Sequence, residues 1–403
     1  MTEIDRTYLN FEACLKCSIC NTVCPMMEVN GFYPGPKTAG PDQERYRLKD
    51  PAFYDYALKY CLNCKRCEVA CPSNVPVADL IRRAKLRYAS RSKHPLRDAV
   101  LGSTDLVGKI SAPLSPLANQ VLGFDAGKRL IDKLFAIDHR SALPKYSAVK
   151  FTDWFALGAG KAQEKFSSFV SYFHGCYANY NYPQLGKDFV KIMNAAGYGV
   201  HLLEKERCCG AAALSNSLEK KALKNAKINI ASFEKAVGRG EPILTSSAGC
   251  TLLMRDEYSS ILGLDTSPWR DSLSFACKWL WEKIDSGEVK LNFKPIKLRL
   301  AYHTACHMQK LGWRIYSIEL LKMIPGLQIE ILDQNCCGVA GAFGFKKEYF
   351  DYSQKIGRRL FDDIADSAPD AVVSECEACK WQIEKNCAIP VLNPLSVIAS
   401  ALE

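Results

Sequence analysis

The second half of this sequence predicts an α/β fold, and three recurring landmarks carry that prediction. A strand-like run ending in Cys176 (SFVSYFHGC) returns as LRLAYHTAC, ending in Cys306, 130 residues later. Cys208-Cys209-Gly210 returns as Cys336-Cys337-Gly338 after 128 residues. ILTSSAGC, ending in Cys250, returns as AVVSECEAC, ending in Cys379, after 129. Three landmarks in one order at one spacing mark a duplicated unit. Helical stretches lie between them, over 218–237 in the first copy and 346–364 in the second. Each copy therefore reads strand–helix–strand–helix–strand, with its cysteines at strand ends. At that edge of an open parallel sheet ligands collect.

Cysteine usage divides the rest of the chain. Of the 19 cysteines in 403 residues, eight fall before residue 95, none between 96 and 165, and eleven after. The expected units are 1–95, a helical linker over 96–165, and the two α/β repeats over 166–290 and 291–403. With 48% hydrophobic and 24% charged residues the chain is globular. Its net charge of +10 suits a solvated basic surface or attraction to an anionic membrane face, and no nucleic-acid partner is expected. An odd cysteine count without a signal-peptide pattern in MTEIDRTYLNFEAC argues against a secreted disulfide framework. The expected setting is the reducing cytoplasm, where clustered thiols mean metal or redox chemistry. The uncharged segment over 110–124 is too short to span a bilayer and contains Pro113 and Pro116, so membrane contact would be peripheral.

The first unit holds Cys14-x2-Cys17-x2-Cys20-x3-Cys24-Pro25 and Cys61-x2-Cys64-x2-Cys67-x3-Cys71-Pro72. Two intervening residues let three thiolates converge on one cubane face, while the fourth cysteine, turned away at the proline, ligates the other cluster. The expectation is a helical dicluster ferredoxin domain. One [4Fe–4S] cluster would sit on Cys14, Cys17, Cys20 and Cys71, the other on Cys61, Cys64, Cys67 and Cys24. Structural zinc is the nearest rival, but zinc sites pair two C-x2-C knuckles across a longer gap. Lys65 and Arg66, inside the second loop, would either raise that cluster's potential or be ordinary surface charges, and the second reading is preferred.

In the linker, Leu114, Leu117, Ala118, Val121 and Leu122 share one helical face. A second helix over 128–137 would align Leu130, Ile131, Leu134 and Ile137, with Lys128, Arg129 and Lys133 off that stripe. Residues 96–150 carry eight Lys or Arg against five Asp. Such a segment suits packing on the protein's own domains or lying in a headgroup boundary.

The repeats bring a second thiol set. Adjacent cysteines cannot comfortably face one tetrahedral ion but can reach different irons of a cluster. Copy two offers Cys306, Cys336, Cys337, Cys376 and Cys379. Copy one offers Cys176, Cys208, Cys209 and Cys250, with Ser247 where Cys376 would predict a fifth. Cluster binding is expected in copy two with five thiols and in copy one with four. Cys277 and Cys387 match nothing in the repeat and read as core residues. His303 and His307, which bracket Cys306, face Phe173 and Tyr177 in copy one and read as satisfied structural histidines. No dinucleotide fingerprint, Walker A loop or nucleophile elbow is present: Gly158-x-Gly160 and Gly338-x2-Gly341-x2-Gly344 have the wrong spacing. Substrate chemistry is thus expected on another subunit.

The order of two ferredoxin motifs, helical linker and duplicated CCG domain resembles the iron–sulfur subunits that partner flavin dehydrogenases, and the heterodisulfide reductase subunits. YPGPKTAGPDQERYRLKD, CLNCKRCEVACPS, IDHRSALPKYS, FHGCYANYNYPQLGKD, GWRIYSIELL and CEACKWQIE resemble, in particular, the iron–sulfur subunit family of anaerobic glycerol-3-phosphate dehydrogenases. The resemblance implies an electron-transfer and membrane-attachment role at the cytoplasmic face of the inner membrane. Its partners would be an FAD-containing catalytic subunit, a second flavoprotein-type subunit and menaquinone. By the same resemblance the five thiols of copy two would hold a non-cubane cluster, from which Ser247 of copy one departs. Related wiring serves lactate or glycolate dehydrogenases, and a catalytic disulfide reductase is the remaining alternative.

Overall fold

The structure, a computed structural model, describes residues 10–91 and 93–403. Most of the N-terminal run that argues against export lies outside the described residues.

In the N-terminal unit each cysteine-rich loop is shaped by two left-handed residues at matching positions. These are Lys16 (φ 57°) and Ser18 (φ 64°) in the first loop, and Asn63 (φ 53°) and Lys65 (φ 64°) in the second. Alternation of left- and right-handed residues turns successive amides into one concavity, the nest found around anions and iron–sulfur clusters. Helix α1 (Val77–Arg87) closes the unit, burying Val77, Leu80, Ile81 and Ala84. This core also takes in Cys336, Phe343 and Ile356 of the second repeat, so the N-terminal unit and copy two share apolar packing.

The linker folds as α2 (Pro95–Leu101), α3 (Thr104–Ser111), α4 (Ser115–Gly123) and α5 (Asp125–Phe135). Proline in the first turn pre-sets φ for α2 and α4. Helix α5 begins three residues before the expected start and ends at Phe135, because Ala136 turns left-handed (φ 51°). Ile137 therefore leaves the expected stripe and is buried in an antiparallel bridge with Lys346. Ile131 and Phe135 pack inward. Leu106, Ile110, Leu114, Leu117, Val121, Phe124, Leu130 and Leu134 stay exposed.

Copy one runs β1 (Phe169–Phe173), α6 (Pro183–Ala195), β2 (Gly199–Leu202), α7 (Glu219–Gly238), β3 (Ile243–Thr245), β4 (Leu273–Phe275) and α8 (Ala276–Asp285). Copy two runs β5 (Arg299–Tyr302), α9 (Arg314–Lys322), β6 (Gln328–Ile331), α10 (Phe350–Ser367), β7 (Ala371–Val373), α11 (Glu377–Cys387), β8 (Val391–Leu392) and α12 (Pro394–Ala401). The sheets have the orders β2-β1-β3-β4 and β6-β5-β7-β8, parallel throughout. Identical strand order at two addresses is the structural trace of the duplication. Each sheet has one strand more than expected. β4 and β8 are only three and two residues long and run straight into helices, so no period-2 pattern announces them. Phe275 ends β4, and Cys277 is fully buried in α8. The copies dock through α6 and α12, where Lys191 donates to the Ala399 carbonyl at 2.6 Å. Among the described residues no helix is long and apolar enough to cross a membrane.

Candidate iron–sulfur centres

All 19 cysteines are free, and the fold gathers seventeen of them into four groups. In the N-terminal unit the groups cross between motifs. Cys20 has Cys14, Cys71 and Cys17 as its electrostatic neighbours. Cys24 has Cys64 and Cys61, and Cys67 has Cys64, Cys61 and Cys24. Burial, then repulsion from Cys14, Cys71 and Cys17, pushes the iron-free Cys20 thiol up to about 11. Burial, reinforced by Cys64, pushes Cys24 up to about 12. Thiols crowded to that degree ionise when a cation joins them, which is how metal binding couples to such a fold. Four thiols around an amide-lined nest fit a [4Fe–4S] cluster. Among the described residues no three His, Cys, Asp or Glu side chains close up into a cage for a single ion.

The second loop carries two corrections to the sequence reading. Lys65 is not a surface charge: it is 2% exposed and ion-paired with Asp79, with Glu257 at 2.9 Å and with Glu68 at 3.7 Å. Its left-handed backbone turns it inward, and three carboxylates offset the cost of burying the ammonium. Arg66 is not free either. It donates to the Gln334 carbonyl and lies among Cys336, Cys64, Cys306 and Cys337. One guanidinium thus stands between the ferredoxin loop and the thiols of copy two.

The repeat cysteines all sit past the C-terminal ends of strands. β1, β2 and β3 lead to Cys176, Cys208–Cys209 and Cys250, and β5, β6 and β7 lead to Cys306, Cys336–Cys337 and Cys376–Cys379. In copy one the Cys250 and Cys209 sulfurs are 3.2 Å apart, and Cys208 is hydrogen-bonded to Cys176 and Cys209. In copy two Cys337 and Cys379 are 3.2 Å apart, Cys337 is hydrogen-bonded to Cys336, and Cys379 to Cys376. Cys306 has Cys64, Cys376 and Cys337 as neighbours. Ser247, in the place of a fifth thiol, donates to Glu377 of copy two at 3.1 Å, and burial raises that carboxyl to about 7.

Of the two histidines, His303 departs from expectation as well. His303 is 1% exposed, and neither ring nitrogen has a hydrogen-bond partner. It is not a satisfied histidine, and burial lowers it to about 4 despite Cys337 nearby. His307 reaches the Asn63 carbonyl at 3.4 Å. Copy one has its own buried histidine, passed over in the sequence: His174, two residues before Cys176, whose Nδ1 lies 2.9 Å from the Gly175 carbonyl and 3.1 Å from Glu206, with burial lowering the imidazole to about 4 and raising the carboxyl. Thr104 of α3, also missed, places its hydroxyl 3.2 Å from the Cys208 sulfur. Cys277 is walled into the core, while Cys387 is half-buried at the end of α11.

These features define an iron–sulfur electron-transfer protein with two [4Fe–4S] clusters in its N-terminal unit and cysteine-rich repeats suited to further clusters. Residues 10–75 match the 4Fe-4S dicluster domain family, and 170–255 and 300–384 each match the Cysteine-rich domain family. The chain is 48% identical to a subunit of the anaerobic glycerol-3-phosphate dehydrogenase of Escherichia coli (strain K12), over 98% of this chain and 99% of that one. It belongs to the family of that subunit. It is also 28% identical to lactate utilization protein A 2 of Bacillus cereus (strain 03BB102), over 58% of this chain and 98% of that one. A subunit of the fumarate reductase (CoM/CoB) of Methanothermobacter marburgensis is 22% identical over 92% of this chain and 67% of its own length.

Proposed function

We propose that this chain is the electron-transferring and membrane-attaching subunit of a glycerol-3-phosphate dehydrogenase complex. It takes electrons from the FAD of a partner catalytic subunit, which is accompanied by a second flavoprotein-type subunit. It passes them to menaquinone at the cytoplasmic face of the inner membrane, where it is held peripherally. Its units are 1–95, 96–165, 166–290 and 291–403. The crossed sets Cys14, Cys17, Cys20, Cys71 and Cys24, Cys61, Cys64, Cys67 hold the ferredoxin clusters. Cys306, Cys336, Cys337, Cys376 and Cys379 hold a third, and Cys176, Cys208, Cys209 and Cys250 are suited to a fourth. In each loop the chain's task is to present thiolates and inward amides to the cluster and keep water off it. The cluster itself supplies one-electron chemistry.

One observation carries the membrane reading: the eight exposed apolar side chains along α3–α5, on a chain of net charge +10. Isolated exposed leucines need no explanation, but eight exposed apolar side chains along three consecutive helices do. Lying in the headgroup boundary would bury them beside anionic lipid. The test is co-sedimentation with anionic liposomes. Leu130→Glu with Leu134→Glu should release the protein and leave its cluster spectrum intact, since both side chains point away from the core. Full sedimentation of that variant would refute the reading. The crossed ligand sets are tested by Cys24→Ala in the whole chain. It should damage the cluster of Cys61, Cys64 and Cys67, and loss of the Cys14 cluster alone would reject the assignment. A second reading, a heterodisulfide-reductase-like catalytic centre in copy two, is favoured by the unpartnered His303 beside Cys337. Disulfide reduction by the isolated chain would support it.

A further inference from the structure

A cavity of about 650 Å3 opens where the N-terminal unit, the start of the linker and both repeats meet. Its wall contains Cys61, so it touches one of the four thiols grouped with Cys24, Cys64 and Cys67. Aromatic rings run from those thiols into it. Tyr33, among Cys61, Cys24, Cys67 and Cys64, is 6.2 Å edge-on from Tyr60. Tyr60 is in turn 5.9 Å from Tyr352 and 6.5 Å from Tyr349, and Phe343 stacks on Tyr349 at 4.5 Å. Tyr60, Tyr349, Tyr352 and Phe343 all face the cavity.

Polar groups complete the site. Lys85 reaches the wall and donates to the Cys61 carbonyl at 2.6 Å. An ammonium has three donors, of which that carbonyl takes one. The cavity also lies at the root of the exposed apolar helices. Arg97, on its wall in α2, donates to Ala136, the residue that ends α5, at 3.4 Å. Lys346, also on the wall and paired with Asp98 at 2.9 Å, bridges Ile137.

We propose that this cavity is where the quinone headgroup binds and is reduced, with its ring against Tyr60, Tyr349 and Phe343 and a carbonyl oxygen toward Lys85. The inference rests on the quinone reading above and adds its location. A flat, largely apolar ring with two carbonyl acceptors fits aromatic walls, a donor and a cluster ligand in one chamber. The quinone gains two electrons and two protons, and its two carbonyl oxygens become hydroxyls. The electrons are those the iron–sulfur domain carries, and the protons come from water.

The test is photolabelling of the iron-loaded full chain with an azido-substituted naphthoquinone, followed by peptide mapping. Label should fall on residues 54–62 and 340–352 and be displaced by excess menadione. In Lys85→Met, or in Ser215→Trp, which fills the chamber from the wall of copy one, labelling should fall about tenfold, as expected when one hydrogen bond or its room is lost. Cluster spin counts in both variants should match the parent. Displaceable label mapping only to other segments, or undiminished label in both variants, would overturn the location while leaving the quinone reading standing. Absence of any displaceable label would overturn the quinone reading itself.

Discussion

Two copies of one α/β unit, with the same strand order, meet different neighbours. The thiols of copy two face the ferredoxin loop: Cys306 lies by Cys64, and Arg66 stands among Cys306, Cys336 and Cys337. Those of copy one face the linker, with Thr104 on Cys208 and Tyr146 near Cys176. Copy two has five thiols and an unpartnered histidine. Copy one has four, with Ser247 capping the helix that carries Cys250 and bonding to Glu377. Duplication thus preserved the scaffold that brings cysteines to one sheet edge. The residues packed over that edge, and one serine, make the two edges chemically different.

The largest effect that could break this contrast comes from the paired cysteines. Cys337→Ser should remove a whole cluster, about four iron atoms per chain, while Cys209→Ser should remove less. Because metal binding is coupled to folding, the melting temperature should fall with the iron, and further for Cys337→Ser than for Cys209→Ser. Iron assay and calorimetry read both quantities. Equal losses from the two variants would erase the distinction between the copies.

A middle-sized effect isolates the neighbours from the ligands. Arg66→Gln removes a positive charge that only copy two and the adjoining ferredoxin loop face. A charge roughly 10 Å from a centre, at an effective dielectric of about 20, is worth roughly 1.7 kcal/mol, or about 70 mV for one electron. Redox titration followed by EPR should show centres shifted negative by that order. At least one centre, that of copy one if it is loaded, should not move. A uniform shift, or none, would mean that Arg66 is not the local tuner its position indicates.

Much of this architecture was legible in the sequence because it repeats. The offsets between Cys176 and Cys306, or Cys250 and Cys379, reveal a duplication without reference to any propensity, and C-x2-C-x2-C-x3-C-P is a spacing few other sites produce. What stayed hidden depends on tertiary contact. Lys65 and Arg66 look like surface charges until left-handed backbone turns one into three carboxylates and the other packs against the second repeat. The expected helix over 128–137 carried the right apolar residues, but Ile131 and Phe135 turn inward while Leu130 and Leu134 turn out, a split that only packing decides. The strands β4 and β8 are too short to carry a pattern of their own. The tyrosine-lined chamber draws on residues nearly three hundred positions apart, so no local pattern could have shown it.

The smallest expected effect bears most directly on what separates the copies, and it comes from Ser247→Cys. The serine occupies the register of Cys376, and its side chain accepts from the Cys250 amide at 3.5 Å as the helix cap. Replacing oxygen by sulfur weakens that cap, at a cost of about 1 kcal/mol or less. In return it gives copy one a fifth thiol beside Cys250, whose sulfur already touches Cys209. If thiol number is what distinguishes the copies, the variant should bind iron in copy one more firmly under chelator challenge. A second signal like that of copy two should appear in EPR, with stability close to the parent. If the spectrum does not change, the distinction lies instead in the groups over each edge: Arg66 and His303 for one copy, Thr104 and Tyr146 for the other. Carrying Arg66→Gln in the same chain separates these cases, since a fifth thiol that works regardless of Arg66 makes the ligand count decisive.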